Sequence, residues 1–229
     1  MNTYLSKVET AFKKHADPEN AKGQKAYMRN KFDFLGIKSP IRKEIQRPFF
    51  RKENLPPKAE LEDIVKTLWN KPEREFQYFA MELANKYSKQ FDINDIDWFE
   101  WMITHKSWWD TVDDVAPRLM GDYFKQFPDQ RDERIESWFK TNNIWLKRSA
   151  LLFQLRYKAD MDTEFLTYVI NSLLGSKEFF INKAIGWILR QYSKSHPQWV
   201  IDFVNRTELE PLSRREALKR VISDVRFST

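Results

Sequence analysis

The chain of 229 residues contains no cysteine. That excludes disulfides, cysteine-ligated zinc or iron–sulfur centres and a cysteine nucleophile. Histidine is nearly absent as well: His15, His105 and His196 are too far apart to form a His-x-x-x-His metal motif. The expectation is a site without metal. Glycine is scarce, at Gly23, Gly36, Gly121, Gly175 and Gly186. No two of these fit G-x-G-x-x-G, and no Gly-Lys-Ser/Thr occurs, which argues against Rossmann and P-loop nucleotide sites. No run of 18 apolar residues exists to span a membrane. The first residues, Met1 to Lys7, lack a hydrophobic signal core, so the expected location is the cytoplasm.

Aromatics are plentiful, at 15% with nine tryptophans and eighteen phenylalanines. The net charge is +6 but unevenly placed. Residues 1–52 carry +8, residues 53–146 carry −7 and residues 147–229 carry +5. Basic ends around an acidic middle fit two grips on a polyanion, or solvated faces that happen to segregate.

Hydrophobic spacing is helical almost throughout, and no Asn-Gly or Asp-Gly hairpin turn occurs. Pro18, Pro40, Pro57, Pro72 and Pro211 suit first-turn positions, and Ser107 with Asp110 reads as a capping box. The chain is expected to be all-α, with about a dozen helices of ordinary length. A repeat underlies them. Tyr87, Tyr123, Tyr157 and Tyr192 recur at steps of 36, 34 and 35 residues. Each closes the same apolar frame, as in Phe76, Phe79, Ala80, Leu83, Ala84, Tyr87 and in Ile181, Ala184, Ile185, Ile188, Leu189, Tyr192. Offsets of 0, 3, 4, 7, 8 and 11 make one helical stripe. Helical pairs repeating about every 35 residues are the signature of an α-solenoid, here read as a single domain over 1–229. Such stacks have a concave inner face. Arg51–Lys58 is the best linker candidate and reads as a loop.

Some large side chains leave the stripe. At about 100° per residue the stripe centres near 10°, which puts Trp187 near 240° and Arg148 near 200°. Asp113 falls at its edge, near 100°, and Trp109 stands one turn before it on the same face. Each also has a simpler reading. The tryptophans could pack against neighbouring repeats, Asp113 could be an acid favoured near a helix start, and Arg148 a solvated surface residue. The phases differ by up to about 180°, so the repeat does not by itself bring these four together.

The run Lys106-Ser107-Trp108-Trp109-Asp110-Thr111-Val112-Asp113 resembles the signature of the bacterial DNA alkylation repair family, HEAT-like-repeat N-alkylpurine DNA glycosylases. Further runs share the resemblance in order: Tyr27-Met28-Arg29-Asn30 leading to Phe34-Leu35-Gly36-Ile37, Pro72 to Gln77, Asn143 to Arg148, Lys177 to Trp187 and Pro211 to Ala217. It covers nearly the whole chain. The resemblance implies a HEAT-like α-solenoid whose concave groove binds double-stranded DNA, and hydrolytic release of 3- and 7-alkylated purines. It implies that Trp109 and Trp187 hold the lesion's deoxyribose and backbone, that Asp113 is the catalytic carboxylate, and that Arg148 clasps a backbone phosphate. Lys38 departs from the polar uncharged residue expected after Gly-Ile.

The chemistry suits these residues. An N3- or N7-alkylated purine already carries positive charge and leaves as a neutral base, so one carboxylate suffices where ordinary glycosidases use two. An ionised Asp113 would stabilise the cationic sugar and hold the attacking water. The resemblance implies that the base is not enclosed, in contrast to base-flipping enzymes. Tyr27, Lys183, Arg190, Arg214, Arg215 and Lys219 are expected to contact DNA, with Lys25, Arg29, Arg42 and Lys43 as further phosphate candidates. No cofactor is expected, and the acting unit is expected to be a monomer. The competing readings are a non-catalytic HEAT-like DNA-structure-binding protein and a protein-interaction scaffold.

Overall fold

The computed structural model describes residues 3–226, with side-chain surroundings to residue 222. The described residues form fourteen α-helices and short 3-10 turns, with one isolated bridge between Asp33 and Glu73 in place of any strand. None of these helices is long and apolar enough to cross a membrane. The chain groups into two compact units, residues 1–91 and 92–229.

The first unit holds α1 (Thr3–Lys13), α2 (Pro18–Tyr27), α3 (Ser39–Gln46), α4 (Leu61–Trp69) and α5 (Arg74–Asn85). Its core stacks Phe12 on Phe76 at 5.5 Å, with Phe79 edge-on to Phe12 at 5.6 Å. Asp17 caps α2 by accepting from the amides of Glu19 and Asn20, and Pro18 starts the helix, where no N–H is needed. Pro40 likewise sits in the first turn of α3. Pro57 and Pro72 do not start α-helices. Pro57 precedes a 3-10 turn at Lys58–Glu60, and Pro72 lies two residues before α5. The stretch 51–58 is also less loop-like than its composition indicated, since Lys52–Asn54 forms a 3-10 turn.

The motif from Pro72 to Gln77 acquires a physical reason here. Glu75, 1% exposed, accepts the amides of Leu35, Gly36 and Ile37 at 3.0, 2.9 and 3.1 Å. Burial pushes its carboxyl upward even against those bonds. Gly36 has φ of +87°, and a Cβ there would lie 1.9 Å from the carbonyl oxygen of Asp17. Arg74 stacks on Phe32 at 3.8 Å, and Gln77 donates to the carbonyls of Trp69 and Lys71. Arg42, considered above for phosphate contact, is instead 8% exposed and paired with Glu82 at 2.9 Å.

The second unit holds α6 (Asp95–Thr104), α7 (Trp109–Val115), α8 (Gly121–Gln126), α9 (Arg131–Phe139), α10 (Ile144–Leu152), α11 (Thr163–Asn171), α12 (Phe179–Tyr192), α13 (Pro197–Arg206) and α14 (Pro211–Arg226). A π-turn at Ala116–Met120 joins α7 to α8. Pro117 lies within it and has no N–H to give the carbonyl four residues back, so the ladder widens locally. The leading helices of the pairs, α4, α6, α9, α11 and α13, begin at residues 61, 95, 131, 163 and 197, steps of 34, 36, 32 and 34. The expected period is therefore present. Every frame residue quoted for Phe76–Tyr87 and Ile181–Tyr192 is buried.

Three of the four repeated tyrosines lock successive repeats. Tyr87 donates to the carbonyl of Pro56, Tyr123 to that of Ile93 at 2.8 Å and Tyr157 to that of Gly121 at 2.7 Å. Acidic residues do related work. Arg134 on α9 bridges to Asp97 at 2.7 Å and Glu100 at 3.4 Å on α6, and Arg131 reaches Asp162, the cap of α11, at 2.9 Å. Part of the −7 charge is thus consumed in stitching leading helices together. The capping box at Ser107 does not form. Trp108 occupies the N-cap of α7 in extended conformation, and the Ser107 hydroxyl donates at 2.6 Å to the carbonyl of Ile103 in the preceding helix.

Candidate active site

Six of the residues singled out above meet in one pocket of about 300 Å³ in the second unit: Trp109, Asp113, Arg148, Lys183, Trp187 and Arg190. Phe179, Phe180 and Glu216 complete its lining. Four helices build it. Trp109 opens α7, and Asp113 follows one turn later on the same face. Arg148 comes from the middle of α10. α12 contributes Phe180, Lys183, Trp187 and Arg190 along a stripe separate from its core stripe of Ile181, Ala184, Ile185, Ile188 and Leu189. That second stripe is why Trp187 falls out of phase with its own frame. Glu216 comes from α14.

Asp113 and Arg148 form the charged centre. Nε of Arg148 donates to Oδ1 at 2.8 Å and its Nη2 to Oδ2 at 2.9 Å, while Nη1 donates to the carbonyl of Phe180. Arg148 is 3% exposed and so is no surface arginine. Pointing away from its own stripe turns it toward Asp113 of the neighbouring repeat. Burial pushes the Asp113 carboxyl above its ordinary range, and the hydrogen bonds and charge of Arg148 pull the other way. The result is a carboxylate held in a poorly hydrated place by a bidentate clamp.

The aromatic surroundings are graded. Trp108, Trp145 and Phe180 pack on one another with ring centroids 4.9–5.6 Å apart. Trp108 is buried there, whereas Trp109 and Trp187 are half-buried and border the pocket. Phe179 is 55% exposed at its rim. Glu216 accepts from Lys183 at 2.9 Å and Arg190 at 2.6 Å, and these cations hold its carboxyl below the usual range. Sequence reasoning gave Glu216 no role, because one acid within a basic helix carries no spacing signal.

The remaining candidates stand elsewhere. Tyr27 ends α2 in the first unit and is 73% exposed. Arg214, Arg215 and Lys219 are exposed on α14 outside the pocket lining. Arg214 is engaged there, donating to the carbonyl of Val204 at 2.7 Å and to Asn205 at 3.1 Å, so that it caps the end of α13. Lys25 pairs with Asp33 at 2.7 Å. Among the described residues, no group of three or more His, Asp or Glu side chains could hold a metal ion.

The sequence profile of the DNA alkylation repair enzyme family matches residues 8–221. A solved structure described as a predicted DNA alkylation repair enzyme from Enterococcus faecalis is similar at 33% identity and a TM-score of 0.82, covering 89% of this chain and 95% of that one. The crystal structure of AlkD2 from Streptococcus mutans is similar in fold at 17% identity and a TM-score of 0.60, covering 86% of this chain and 95% of that one. No curated protein matches the sequence.

Proposed function

The chain belongs to the DNA alkylation repair enzyme family, and on that premise we propose that it is a DNA glycosylase acting on positively charged N3- and N7-alkylated purines in duplex DNA. One observation carries the reading. Asp113, a half-buried carboxylate, is clamped by Arg148 in a pocket bordered by two half-buried tryptophans, and the pocket's other carboxylate, Glu216, is engaged by Lys183 and Arg190. Loss of a cationic purine needs little acid assistance, so a second carboxyl group is unnecessary.

The C1′–N bond breaks and its electron pair leaves with the base, which becomes neutral. Positive charge passes to the sugar, and water attacks C1′ and gives up its proton to the surrounding solvent. Asp113 in its ionised form stabilises the cationic sugar and orients that water. The ring faces of Trp109 and Trp187 add cation–π attraction of about 0.5–2 kcal/mol each. Arg148 keeps Asp113 ionised, and its remaining N–H groups are suited to a backbone phosphate. Lys183 and Arg190 at the pocket, with Tyr27, Arg214, Arg215 and Lys219 elsewhere, supply further DNA contacts. The lesion is engaged through sugar and backbone, with the base left outside.

The test is to incubate methylated duplex DNA with the wild type and with Asp113→Asn, and to identify released bases by mass spectrometry. Release of 3-methyladenine or 7-methylguanine by the wild type, reduced about 10²–10³-fold in the variant, is expected for removal of a preorganised charge. Absence of release by folded wild-type protein that still binds the DNA would favour the non-catalytic reading.

A further inference from the structure

Glu216 takes no part in the chemistry above, yet it is built into the pocket. It is 8% exposed, and its two oxygens are divided, Oε1 to Lys183 and Oε2 to Arg190. These cations stand seven residues apart on α12, about two turns, with Trp187 between them on the same face. Lysine has three donors and arginine five. Turning one from each toward Glu216 fixes both side chains and leaves donors for a second anion.

The carboxylate is placed by backbone packing. A Cβ at Gly186 would lie 2.5 Å from the Cβ of Glu216 and 2.9 Å from the carbonyl oxygen of Ser213. Only glycine lets α14 approach α12 this closely. One turn before Glu216, the Ser213 hydroxyl is hydrogen-bonded to the carbonyl and side-chain oxygens of Asn182, at 3.0 and 2.9 Å. Asn182 is held in turn by the carbonyl of Ser176 at 2.7 Å. This packing holds Glu216 against Lys183 and Arg190.

We propose that Glu216 is a positioning and specificity-determining residue: it fixes Lys183 and Arg190 on either side of Trp187 and offsets their charge, so that this face of α12 seats one backbone phosphate at the lesion instead of attracting duplex generally. This rests on the glycosylase reading. The physical division is between two quantities. Generic DNA affinity grows with the number of phosphates neutralised and is steeply salt-dependent. Catalysis depends on placement, and small displacements of a positioning group are costly. Glu216 lowers the first and secures the second.

The experiment compares wild type, Glu216→Gln and Glu216→Asp. Glutamine keeps the packing on Gly186 and removes the charge. Aspartate keeps the charge and shortens the reach by one methylene. For Glu216→Gln, undamaged duplex is expected to bind about two- to tenfold more tightly at low salt, with a log K against log salt slope steeper by about one. Release of 7-methylguanine is expected to fall at least about tenfold in kcat. Glu216→Asp is expected to keep the wild-type salt slope while losing kcat. An unchanged salt slope in Glu216→Gln overturns the proposal. So does weaker binding of undamaged duplex, or a collapse of the thermal midpoint together with binding and release, since either would make Glu216 a brace of the fold. If the wild type releases no base, the glycosylase reading fails by itself. The salt slopes then decide this proposal alone: steeper in Glu216→Gln supports it, unchanged overturns it.

Discussion

Arg148 holds Asp113 through two parallel hydrogen bonds, Nε to Oδ1 at 2.8 Å and Nη2 to Oδ2 at 2.9 Å, across 35 residues of sequence. The pair joins two consecutive repeats at the pocket. Breaking a buried pair by removing one partner strands the other charge, which costs about 3–5 kcal/mol. Arg148→Ala is therefore expected to lower stability by about that amount in urea unfolding. Arg148→Lys restores the charge without the fork, since an ammonium cannot bind a carboxylate in bidentate fashion. It is expected to recover part of the stability and little of the base release.

The same pair sets a pH dependence. Burial raises the folded pKa of Asp113 above the ordinary value near 4 for Asp. Below the folded value the carboxyl is neutral and cannot stabilise a cationic sugar. The acid limb of kcat/KM for base release is thus expected to lie above about pH 4. In Arg148→Gln the limb should move to higher pH, because Arg148 is the group that lowers the Asp113 pKa. A limb at or below the ordinary carboxylate value would remove Asp113 as the titrating group.

Gly186 tests how α12 and α14 pack. Alanine is favoured over glycine inside a helix by about 1 kcal/mol. Here its methyl would meet the Cβ of Glu216 at 2.5 Å and the backbone of Ser213 at 2.9 Å, and such overpacking costs about 1–3 kcal/mol. The clash is expected to win, since both neighbours belong to a helix locked by Ser213 and Asn182. Gly186→Ala should show a lower thermal midpoint, whereas Gly23→Ala, whose Cβ would meet nothing within 4 Å, should show none of that loss.

Glu75 offers a test in the first unit that is independent of catalysis. In Glu75→Gln the amide oxygen can replace Oε1 toward Gly36 and Ile37, but its NH₂ then faces the amide of Leu35. The expected loss is about 1–3 kcal/mol, the cost of one buried unsatisfied donor. The sign of the pH effect follows from the raised folded pKa. The native state holds the Glu75 proton more tightly than the unfolded chain, so this group's contribution to stability is full below the unfolded pKa and declines as pH rises through the folded one. Unfolding measured at several pH values should show the gap between wild type and variant narrowing as pH rises.

The helical class, the period near 35 and the buried stripes were legible in the sequence, because apolar spacing is a local property that burial then preserves. The tyrosines marked the repeats, but only the structure shows their hydroxyls reaching carbonyls of preceding elements at Pro56, Ile93 and Gly121. Single-residue signals did worse. The capping box at Ser107 lost to the nearer carbonyl of Ile103, and Pro117 sits in a π-turn that no 3.6-residue frame contains. The pocket was beyond any one-helix argument. Asp113, Arg148 and Trp187 have unrelated phases on α7, α10 and α12, and their meeting is set by how three repeats stack. Family resemblance named these residues; tertiary packing alone buried Arg148 against Asp113 and brought Glu216 between Lys183 and Arg190. The physical reason is that side-chain periodicity along a helix says which face is apolar, whereas the partner of a polar group off that face is chosen by a different helix.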